Sequence, residues 1–362
     1  MSKVGIVPIG QIIKRKREKC NTLKADVYSI TKESGFVLSD SLHDFSIYSD
    51  DVSNYSIISK NDFAYNPSRL NIGSFALFNK EIGIISPMYV VFSCNTEIIV
   101  PKYLYYYIKS PKLLFQIDSM KEVGARFRFD FSKWLKIEIP LPHIKVQEEI
   151  VKILDSFTNL IDALNEELSL RQKQFEYYRE KLLTFKECEC EWKKLGDFAE
   201  IKTGKGIVTS DCTDKSDYPV ISGGIDIMGY YSSYNREAKT VTISRVGANA
   251  GFVNYITTKF YLNDKCFSVI PRNKSIINNK YLFYLLKNKE EIIKGLQSEG
   301  GVPTINTMKL GVIDIPIPPL AIQQSIVEKL DAFESLISSL KEEIALRQKQ
   351  YEYYREKLLT FE

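Results

Sequence analysis

The sequence has little of what metal sites need. Only two histidines, His43 and His143, accompany six cysteines, and no two cysteines have the CxxC spacing of a zinc ligand set. Cys188 and Cys190, separated by one residue, are interpreted as free thiols between two blocks of sequence. We therefore expect no bound metal.

Long apolar runs are also absent. Although 44% of the 362 residues are apolar, no stretch of about 18 apolar residues is available to span a bilayer. The opening VGIVPIGQII is followed, not preceded, by the basic KRKREK, which is not the order of a secretory signal. These features predict a cytoplasmic protein of two or three domains with no membrane partner.

Motifs for catalysis are missing as well. There is no GxGxxG or GxxxxGK[ST] loop to hold a cofactor. Residues 65–68, YNPS, only approach the Asn-Pro-Pro-Tyr/Phe loop of amino-methyltransferases, and the set Asp197, Glu200 and Lys202 is a weak likeness of a nuclease cluster. A net charge of +4 permits nucleic-acid binding through local patches without requiring it. We expect no catalytic site.

What the sequence does contain is a long internal duplication. Residues 170–185 and 346–361 differ at one position in sixteen, at an offset of 176 residues. The match continues backwards in register to IPLP at 139–142 and IPIP at 315–318. Each half is therefore a variable block followed by a nearly invariant block.

The invariant blocks predict two long helices. From Gln147 and again from Gln323, apolar residues alternate in steps of three and four, which is the heptad pattern of a coiled coil. Each helix of about 39 residues has a narrow apolar seam and needs a partner of similar length. We expect the two copies to pair antiparallel. Arg171 and Arg347 lie in the seam, where they either pair with glutamates across the helix pair or reach solvent.

The variable blocks predict two mixed α/β domains. Short alternating runs such as TVTIS (240–244) and FSVIP (267–271) indicate strands, and each block closes with one helix, at 102–120 and 280–298. The Pro-x-Pro segments then predict an extended approach to each long helix. The expected fold is α+β: two mixed α/β domains separated by a pair of long antiparallel coiled-coil helices, with an internal pseudo-twofold repeat. The expected boundaries are 1–138, 139–187, 188–314 and 315–362.

Loops that place basic residues beside glycine or asparagine are the candidate DNA contacts. Arg69 and Arg245, each after a serine, occupy the same place in the two halves, and a forked guanidinium there can reach a base edge or a phosphate. Arg126 and Arg128 alternate with aromatic residues in a loop whose alternative role is to cap the final strand. The basic residues that follow the first strand of each half have a solvated face as their alternative, and for Arg69 and Arg245 the alternative is a plain surface charge. The candidates are Lys14, Arg15, Arg17, Ser68, Arg69, Arg126, Arg128, Lys202, Lys205, Ser244, Arg245 and Asn249.

Several segments together resemble the specificity subunit of type I restriction-modification enzymes. They are RFDFSKWLKIEIPLP (128–142), IPIPPLAIQQSIVEKLD (315–331), SRVGANAGFVNY (244–255) and the two LRQKQ(F/Y)EYYREKLLTF copies. The resemblance covers essentially the whole chain. Because the recognition domains of this family diverge, it carries over the fold and the partners but not individual base contacts.

The resemblance implies a non-catalytic subunit that binds double-stranded DNA. Two target recognition domains, 1–138 and 188–314, would read the two halves of a bipartite, asymmetric target, and the helix pair would act as a ruler between them. The helices would dock two methyltransferase (modification) subunits, which flip and methylate adenine with S-adenosylmethionine. A restriction subunit with translocase and nuclease activity would complete the enzyme. No cofactor is expected on this chain.

Two other functions are compatible with the residues alone. A coiled-coil scaffold could display two ligand-binding domains for a partner that is not nucleic acid, and then no DNA sequence preference would appear at any salt concentration. A fused fragment with its own methyltransferase activity would transfer methyl groups without any other subunit.

Overall fold

The chain forms two compact units in the computed structural model. Residues 4–32, 34–41, 51–120, 127–213, 216–298 and 301–361 are described. Unit 1 comprises Met1–Leu164 and Glu343–Glu362, and unit 2 comprises Asn165–Glu342. Within the described residues, none of the helices combines the length and hydrophobicity needed to cross a membrane.

The described part of unit 1 contains ten strands and two short α-helices before the first long helix. The strands are β1 (Gly5–Pro8), β2 (Ile13–Lys16), β3 (Val27–Thr31), β4 (Gly35–Leu38), β5 (Ser56–Ser59), β6 (Phe63–Tyr65), β7 (Phe75–Leu77), β8 (Ile82–Ile85), β9 (Val90–Cys94) and β10 (Glu138–Leu141). The helices are α1 (Pro101–Ile108) and α2 (Pro111–Ser119), and 3-10 turns cover Ile9–Gln11, Ser39–Ser41, Leu70–Ile72 and Phe131–Lys136.

These strands form three sheets around an aromatic core. Two four-stranded sheets have the orders β2-β9-β6-β7 and β4-β3-β8-β5, and β1 pairs antiparallel with β10. Phe63 and Phe92 stack with ring centroids 5.0 Å apart, and Phe129 meets Trp134 edge-on at 4.8 Å. Burying these large rings stabilises the unit and fixes the strand ends from which its loops leave.

The first long helix, α3 (Ile144–Leu183), leads into unit 2, which repeats this plan. Its strands are β11 (Glu191–Lys194), β12 (Ala199–Thr203), β13 (Tyr218–Ile221), β14 (Gly229–Tyr231), β15 (Thr240–Ser244), β16 (Val253–Ile256), β17 (Tyr261–Leu262), β18 (Cys266–Pro271) and β19 (Asp314–Ile317). Its short helices are α4 (Leu195–Phe198), α5 (Asn279–Asn288), α6 (Glu290–Lys294) and α7 (Thr307–Gly311), with a 3-10 turn at Thr209–Asp211. The second long helix is α8 (Leu320–Leu359).

The duplication is visible in the strand register. The sheets of unit 2 have the orders β12-β18-β15-β16 and β14-β13-β17, and β11 pairs antiparallel with β19. Lys193 lies opposite Ile315, just as Val7 lies opposite Ile139 in unit 1. The Pro-x-Pro segments are thus strands that lead into the long helices, which confirms the predicted extended approach.

Both long helices are as predicted in length, and each contributes to both units. Each has 40 residues. Phe157 of α3 stacks on Tyr354 of α8 in unit 1, with centroids 5.4 Å apart, and Tyr178 of α3 stacks on Phe333 of α8 in unit 2, at 5.5 Å. The N-terminal part of each helix therefore lies beside the C-terminal part of the other, which confirms the antiparallel pairing.

Two details of the helices differ from the predictions. The single helix expected at 102–120 is divided into α1 and α2, because Pro111 disfavours helical backbone at Ser110, and Ser110 instead caps α2 by accepting from Leu113 N. The helix expected at 280–298 is likewise divided at Lys289 into α5 and α6, and α6 ends at Lys294.

The seam arginines form contacts that were not predicted. Arg171 pairs with Glu167 (3.4 Å) and Arg347 with Glu343 (2.7 Å), in both cases four residues back on the same helix. Of the two open alternatives, pairing across the helices does not occur in these contacts, because a glutamate one turn away on the same helix is already within reach.

Candidate nucleic-acid interface

Two of the predicted loops of unit 1 are joined by hydrogen bonds. Phe129 N donates to Pro67 O (2.8 Å), and the Tyr65 hydroxyl donates to Phe129 O (3.2 Å). Within the first loop, Ser68 N donates to Asn66 Oδ1 (2.9 Å), which closes a tight turn and leaves Ser68 and Arg69 exposed. The loop that carries Arg69 is therefore held against the segment that carries Arg128.

A third predicted residue, Arg15, lies in the same region. Burial raises the pKa of the Tyr65 hydroxyl, and the nearby positive charges of Arg15 and Arg128 act in the opposite direction. Both arginines are exposed, and Arg128 pairs with Asp130 at 3.1 Å. The structure thus holds the loop of Ser68 and Arg69 against the segment of Arg128 near the end of β6, with the charge of Arg15 close enough to act on the Tyr65 hydroxyl.

The remaining candidates of unit 1 are placed differently. Lys14 precedes Arg15 on β2, so its side chain points to the opposite face of the strand. Arg17 is exposed one residue beyond the end of β2. Arg126 lies outside the described residues.

Unit 2 repeats the pairing of loops with different residues. Ile305 N donates to Arg245 O, and Gly247 N donates to Pro303 O, both at 2.9 Å. Gly247 has a φ of +102°, a conformation that glycine adopts without strain. The loop after an inner strand is therefore bonded to the loop before the last strand in both units.

Arg245 is half-buried and partly engaged. Its Nη1 donates to Asp264 O (3.2 Å), and its guanidinium lies 5.9 Å from the centre of the Phe267 ring. Since a guanidinium has five N–H donors, the remaining ones are available to a ligand. This contact orients the side chain before any ligand binds.

Lys202 and Lys205 are both exposed, with Lys202 paired to Glu200 at 2.6 Å. Asn249 is half-buried, and its carbonyl accepts from Phe252 N (2.9 Å) in the turn after Arg245.

Ser244 requires a correction. Only 3% of its surface is exposed, and its hydroxyl faces the buried Cys266 thiol, 3.9 Å away. It is the last residue of β15, where the side chain points into the core, so it is not available for the predicted DNA contact.

The near-matches to catalytic motifs have structural roles. Asn66 of the YNPS segment is buried, and its side-chain oxygen is used by Ser68 N, so these residues do not form an open pocket for a flipped base. Within the described residues, no group of three or more histidine, cysteine, aspartate or glutamate side chains could hold a metal ion.

Sequence reasoning missed the residues that attach each variable block to its long helix. Gln147 is completely buried; its Oε1 accepts from Val100 N (2.8 Å), and its Nε2 donates to Ile98 O (3.0 Å) and Pro142 O (2.8 Å). We call this set of bonds the glutamine anchor of unit 1.

Unit 2 has the same anchor. The Oε1 of the fully buried Gln323 accepts from Asn278 N (2.8 Å), and its Nε2 donates to Ile276 O (2.9 Å) and Pro318 O (2.8 Å). The signal in the sequence was the in-register match of the two glutamines at the start of the helices.

A tyrosine and an aspartate reinforce each anchor. The Tyr106 hydroxyl donates to Asp155 of α3 (2.6 Å), and the Tyr284 hydroxyl donates to Asp331 of α8 (2.5 Å). Burial, followed by the neighbouring carboxylate, raises the pKa of both tyrosines. In each unit, the variable block with its two joined loops is therefore attached to a long helix by the glutamine anchor and by a tyrosine–aspartate hydrogen bond.

Comparison with known proteins defines the class. A family model described as "Type I restriction modification DNA specificity domain" matches residues 4–170 and 189–346, one match in each half. The chain belongs to this family and is a type I restriction-modification specificity subunit.

Individual relatives are similar over about three quarters of their length. The chain is similar to the type I restriction enzyme EcoR124I/EcoR124II specificity subunit of Escherichia coli, with 32% identity over 309 residues that cover 76% of this chain and 74% of that protein. It is also similar to the putative specificity subunit S.HindORF215P of Haemophilus influenzae, with 32% identity over 286 residues and 72% coverage of each.

Solved structures share the fold. The S subunit of a type I system from M. genitalium aligns with a TM-score of 0.68 at 16% identity, covering 99% of this chain and 97% of that one. A chain from work on complex assembly and conformational transition of a type I R-M system aligns with a TM-score of 0.59 at 17% identity, covering 99% and 98%. At these identities the likeness concerns the fold.

Proposed function

We propose that this specificity subunit recognises a bipartite, asymmetric DNA target, with one half-site read by residues 1–138 and the other by residues 188–314. The observation that carries the proposal is the repeated pair of loops, which are joined by hydrogen bonds in both units but carry different side chains. One backbone plan with two sets of side chains suits two half-sites of different sequence.

Arg69 and Arg245 are the proposed base-reading residues. A guanidinium can donate two parallel hydrogen bonds to the O6 and N7 atoms of guanine in the major groove. The exposed Arg15, Arg128, Lys202 and Lys205 suit phosphate contacts, which position the protein and make binding dependent on salt.

The long helices offer equivalent docking faces for two modification subunits. In the heptad numbering, Leu154 and Phe175 of α3 occupy position a. Leu170 and Tyr177 of α3 then occupy position c, and Leu346 and Tyr353 occupy the same position in α8. All four are exposed: Leu170 59%, Leu346 61%, Tyr177 57% and Tyr353 60%. We call Leu170 with Tyr177, and Leu346 with Tyr353, the outer strips.

Position c lies on a different flank of each helix from the aspartates that bond to a variable block. The anchoring residues Asp155 and Asp331 occupy position b, whereas position c borders position g on the other flank of the helix. Exposed apolar and aromatic groups in a row are typical of protein interfaces, and their near-equal exposure in the two copies suits two identical partners.

In this proposal the chemistry belongs to the partner subunits. The modification subunits would bind S-adenosylmethionine and methylate an adenine in each half-site, and a restriction subunit would add cleavage. Residues of this chain would bind and orient the DNA.

Methylation mapping tests the proposal directly. In cells that express this chain with its modification subunit, methylated adenines should fall in one motif with two unequal parts and a spacer of fixed length. Purified complex should prefer that motif across a salt series, whereas the absence of preference at every salt concentration would favour the scaffold alternative. Methyl transfer by this chain alone would contradict the assignment of chemistry to the partners.

A further inference from the structure

We propose that Asn235 and Arg236 are positioning residues that hold both DNA-facing loops of unit 2 in the geometry needed to discriminate a half-site. This inference rests on the proposed function. The loops concerned are residues 203–206, which carry Lys205, and residues 244–249, which carry Arg245. Asn235 and Arg236 lie between β14 and β15.

Arg236 uses its guanidinium as a three-way clamp. Nε donates to Ser268 Oγ, Nη1 to Asn235 O and Nη2 to Thr203 O, each at 2.8 Å. The backbone of Arg236 is itself fixed by a bridge to Phe260. Its side chain therefore joins β18 to the start of the 203–206 loop, and its donors point to protein acceptors.

Asn235 clamps the neighbouring backbone with both ends of its amide. Its Nδ2 donates to Leu262 O (3.0 Å), and its Oδ1 accepts from Leu262 N (2.7 Å). The same Leu262 O accepts from Lys205 N at 2.9 Å. Asn235 thus fixes the residue on which the lysine-bearing loop rests.

The 203–206 loop depends on this support because it packs backbone against backbone. A Cβ atom on Gly204 would lie 2.0 Å from Leu262 O, so only glycine fits there. A glycine has no side chain with which to fix the loop. The carbonyl of Thr203 and the amide of Lys205, on either side of it, are instead held through Arg236 and Leu262.

The same support continues to Arg245. Leu262 leads into Asn263, which is buried and donates through Nδ2 to Ile207 O (2.9 Å). The next two residues bind the reading arginine, since Arg245 N donates to Lys265 O (2.8 Å) and Arg245 Nη1 donates to Asp264 O (3.2 Å). A shift at Leu262 therefore moves Lys205 and Arg245 together.

The test compares Arg236→Gln and Arg236→Lys in complex with the modification subunit, on DNA in which one half-site at a time carries base changes. Arg236→Gln should lose tenfold or more of the discrimination at the half-site read by unit 2 and none at the other. Arg236→Lys should not restore it, because a single ammonium cannot replace three donors in a fixed fork. The slope of the salt dependence should fall by at most about one, and equally in both variants, because the displaced loop carries Lys205, a proposed phosphate contact.

Arg272→Gln is the matched control. Arg272 Nη1 also donates to two backbone carbonyls, Gly196 O (2.8 Å) and Asp197 O (2.9 Å), but it follows β18 at the end opposite Phe267 and Thr203. Its loss should leave discrimination at both half-sites unchanged. Asn235→Asp keeps the acceptor for Leu262 N and removes the donor to Leu262 O. It should reproduce the loss of discrimination at the half-site of unit 2, and it tests the inference if Arg236→Gln does not fold.

Three results would overturn the inference. Rescue by lysine, with the slope of the salt dependence reduced by about one in the glutamine variant, would make Arg236 a phosphate contact. Equal loss of discrimination at both half-sites would indicate a general structural role for Arg236. Unchanged discrimination in Asn235→Asp would show that the bonds of Asn235 to Leu262 do not control how unit 2 reads its half-site. A wild-type complex that does not discriminate would instead refute the proposed function itself.

Discussion

Single side chains explain where sequence reasoning succeeded and where it failed. Arg69 and Arg245 could be compared because both halves carry the same Ser-Arg pair, and their contact with DNA stays a prediction. The burial of Ser244 was not readable, because a serine at a strand end gives no sign of which face it occupies. The function of Gln147 and Gln323 was also hidden, since their bonds are to backbone atoms 45 to 49 residues away or just before the helix.

Replacing Arg245 tests half-site reading at the scale of one residue. We expect Arg245→Ala to reduce discrimination at the half-site of unit 2 by about 1–3 kcal/mol, the contribution of one good bidentate base contact. Competition binding with DNA altered in one half-site at a time measures this.

Arg69→Ala is the counterpart and should affect only the other half-site. Equal loss at both half-sites from either variant would contradict independent reading by the two blocks.

Removing a glutamine anchor tests its contribution to stability. Gln323→Leu keeps a similar volume but leaves Asn278 N, Ile276 O and Pro318 O without their partner, so we expect the free energy of unfolding to fall by about 2–4 kcal/mol. Urea denaturation measures the loss. The control Gln172→Leu, at an exposed position of α3, should change stability by less than about 0.5 kcal/mol, and equal effects of the two variants would show that the anchor is not specific.

At the scale of elements, heptad spacing predicted both long helices because it persists over many turns. The divisions between α1 and α2 and between α5 and α6 were missed, although Pro111 marks the first of them. In the second, no proline marks the break at Lys289. Strands β15 and β18 were found because short runs of β-branched, aromatic and polar residues indicate a strand there.

The outer strips predict a change in stoichiometry. Tyr177→Arg places a charge in one strip, and we expect the complex to fall from two modification subunits per chain to one, with at least tenfold weaker binding at the altered face. Native mass spectrometry or sedimentation measures both. Tyr177→Phe retains the ring and should bind two.

Combining Tyr177→Arg with Tyr353→Arg should abolish docking altogether. A double variant that still binds two modification subunits would show that the strips are not the docking faces.

For the whole molecule, the sequence predicted a duplicated protein with paired helices, but it did not predict how the helices are shared. Each unit combines the first part of one long helix with the last part of the other. This division depends on contacts between residues more than 150 positions apart, such as Phe157 with Tyr354, which periodicity in one helix cannot specify.

The buried tyrosines predict how stability depends on alkaline pH. The pKa of Tyr284 is raised above its ordinary value of 10.0 by burial and by Asp331, so the folded state holds this proton more tightly than the unfolded state. The resulting stability is complete below pH 10 and is lost as the pH rises beyond it. Urea titrations between pH 8 and about 11.5 should show this decline.

Tyr284→Phe should make the decline less steep, because it removes one of these protons. Tyr177→Phe, at an exposed position, should leave the slope unchanged. A slope that is the same in both variants would exclude Tyr284 as a contributor.

The glutamine anchors have a consequence for how such proteins can change over evolutionary time. All six bonds end on main-chain atoms of Ile98, Val100, Pro142, Ile276, Asn278 and Pro318. Every amino acid has a carbonyl, and every one but proline has an amide N–H. The hydrogen bonds of the two glutamines therefore do not depend on the side chains of these six residues. A different block that offers the same backbone path, with a tyrosine in the place of Tyr106 or Tyr284 to meet the aspartate, can therefore be joined to the same long helix.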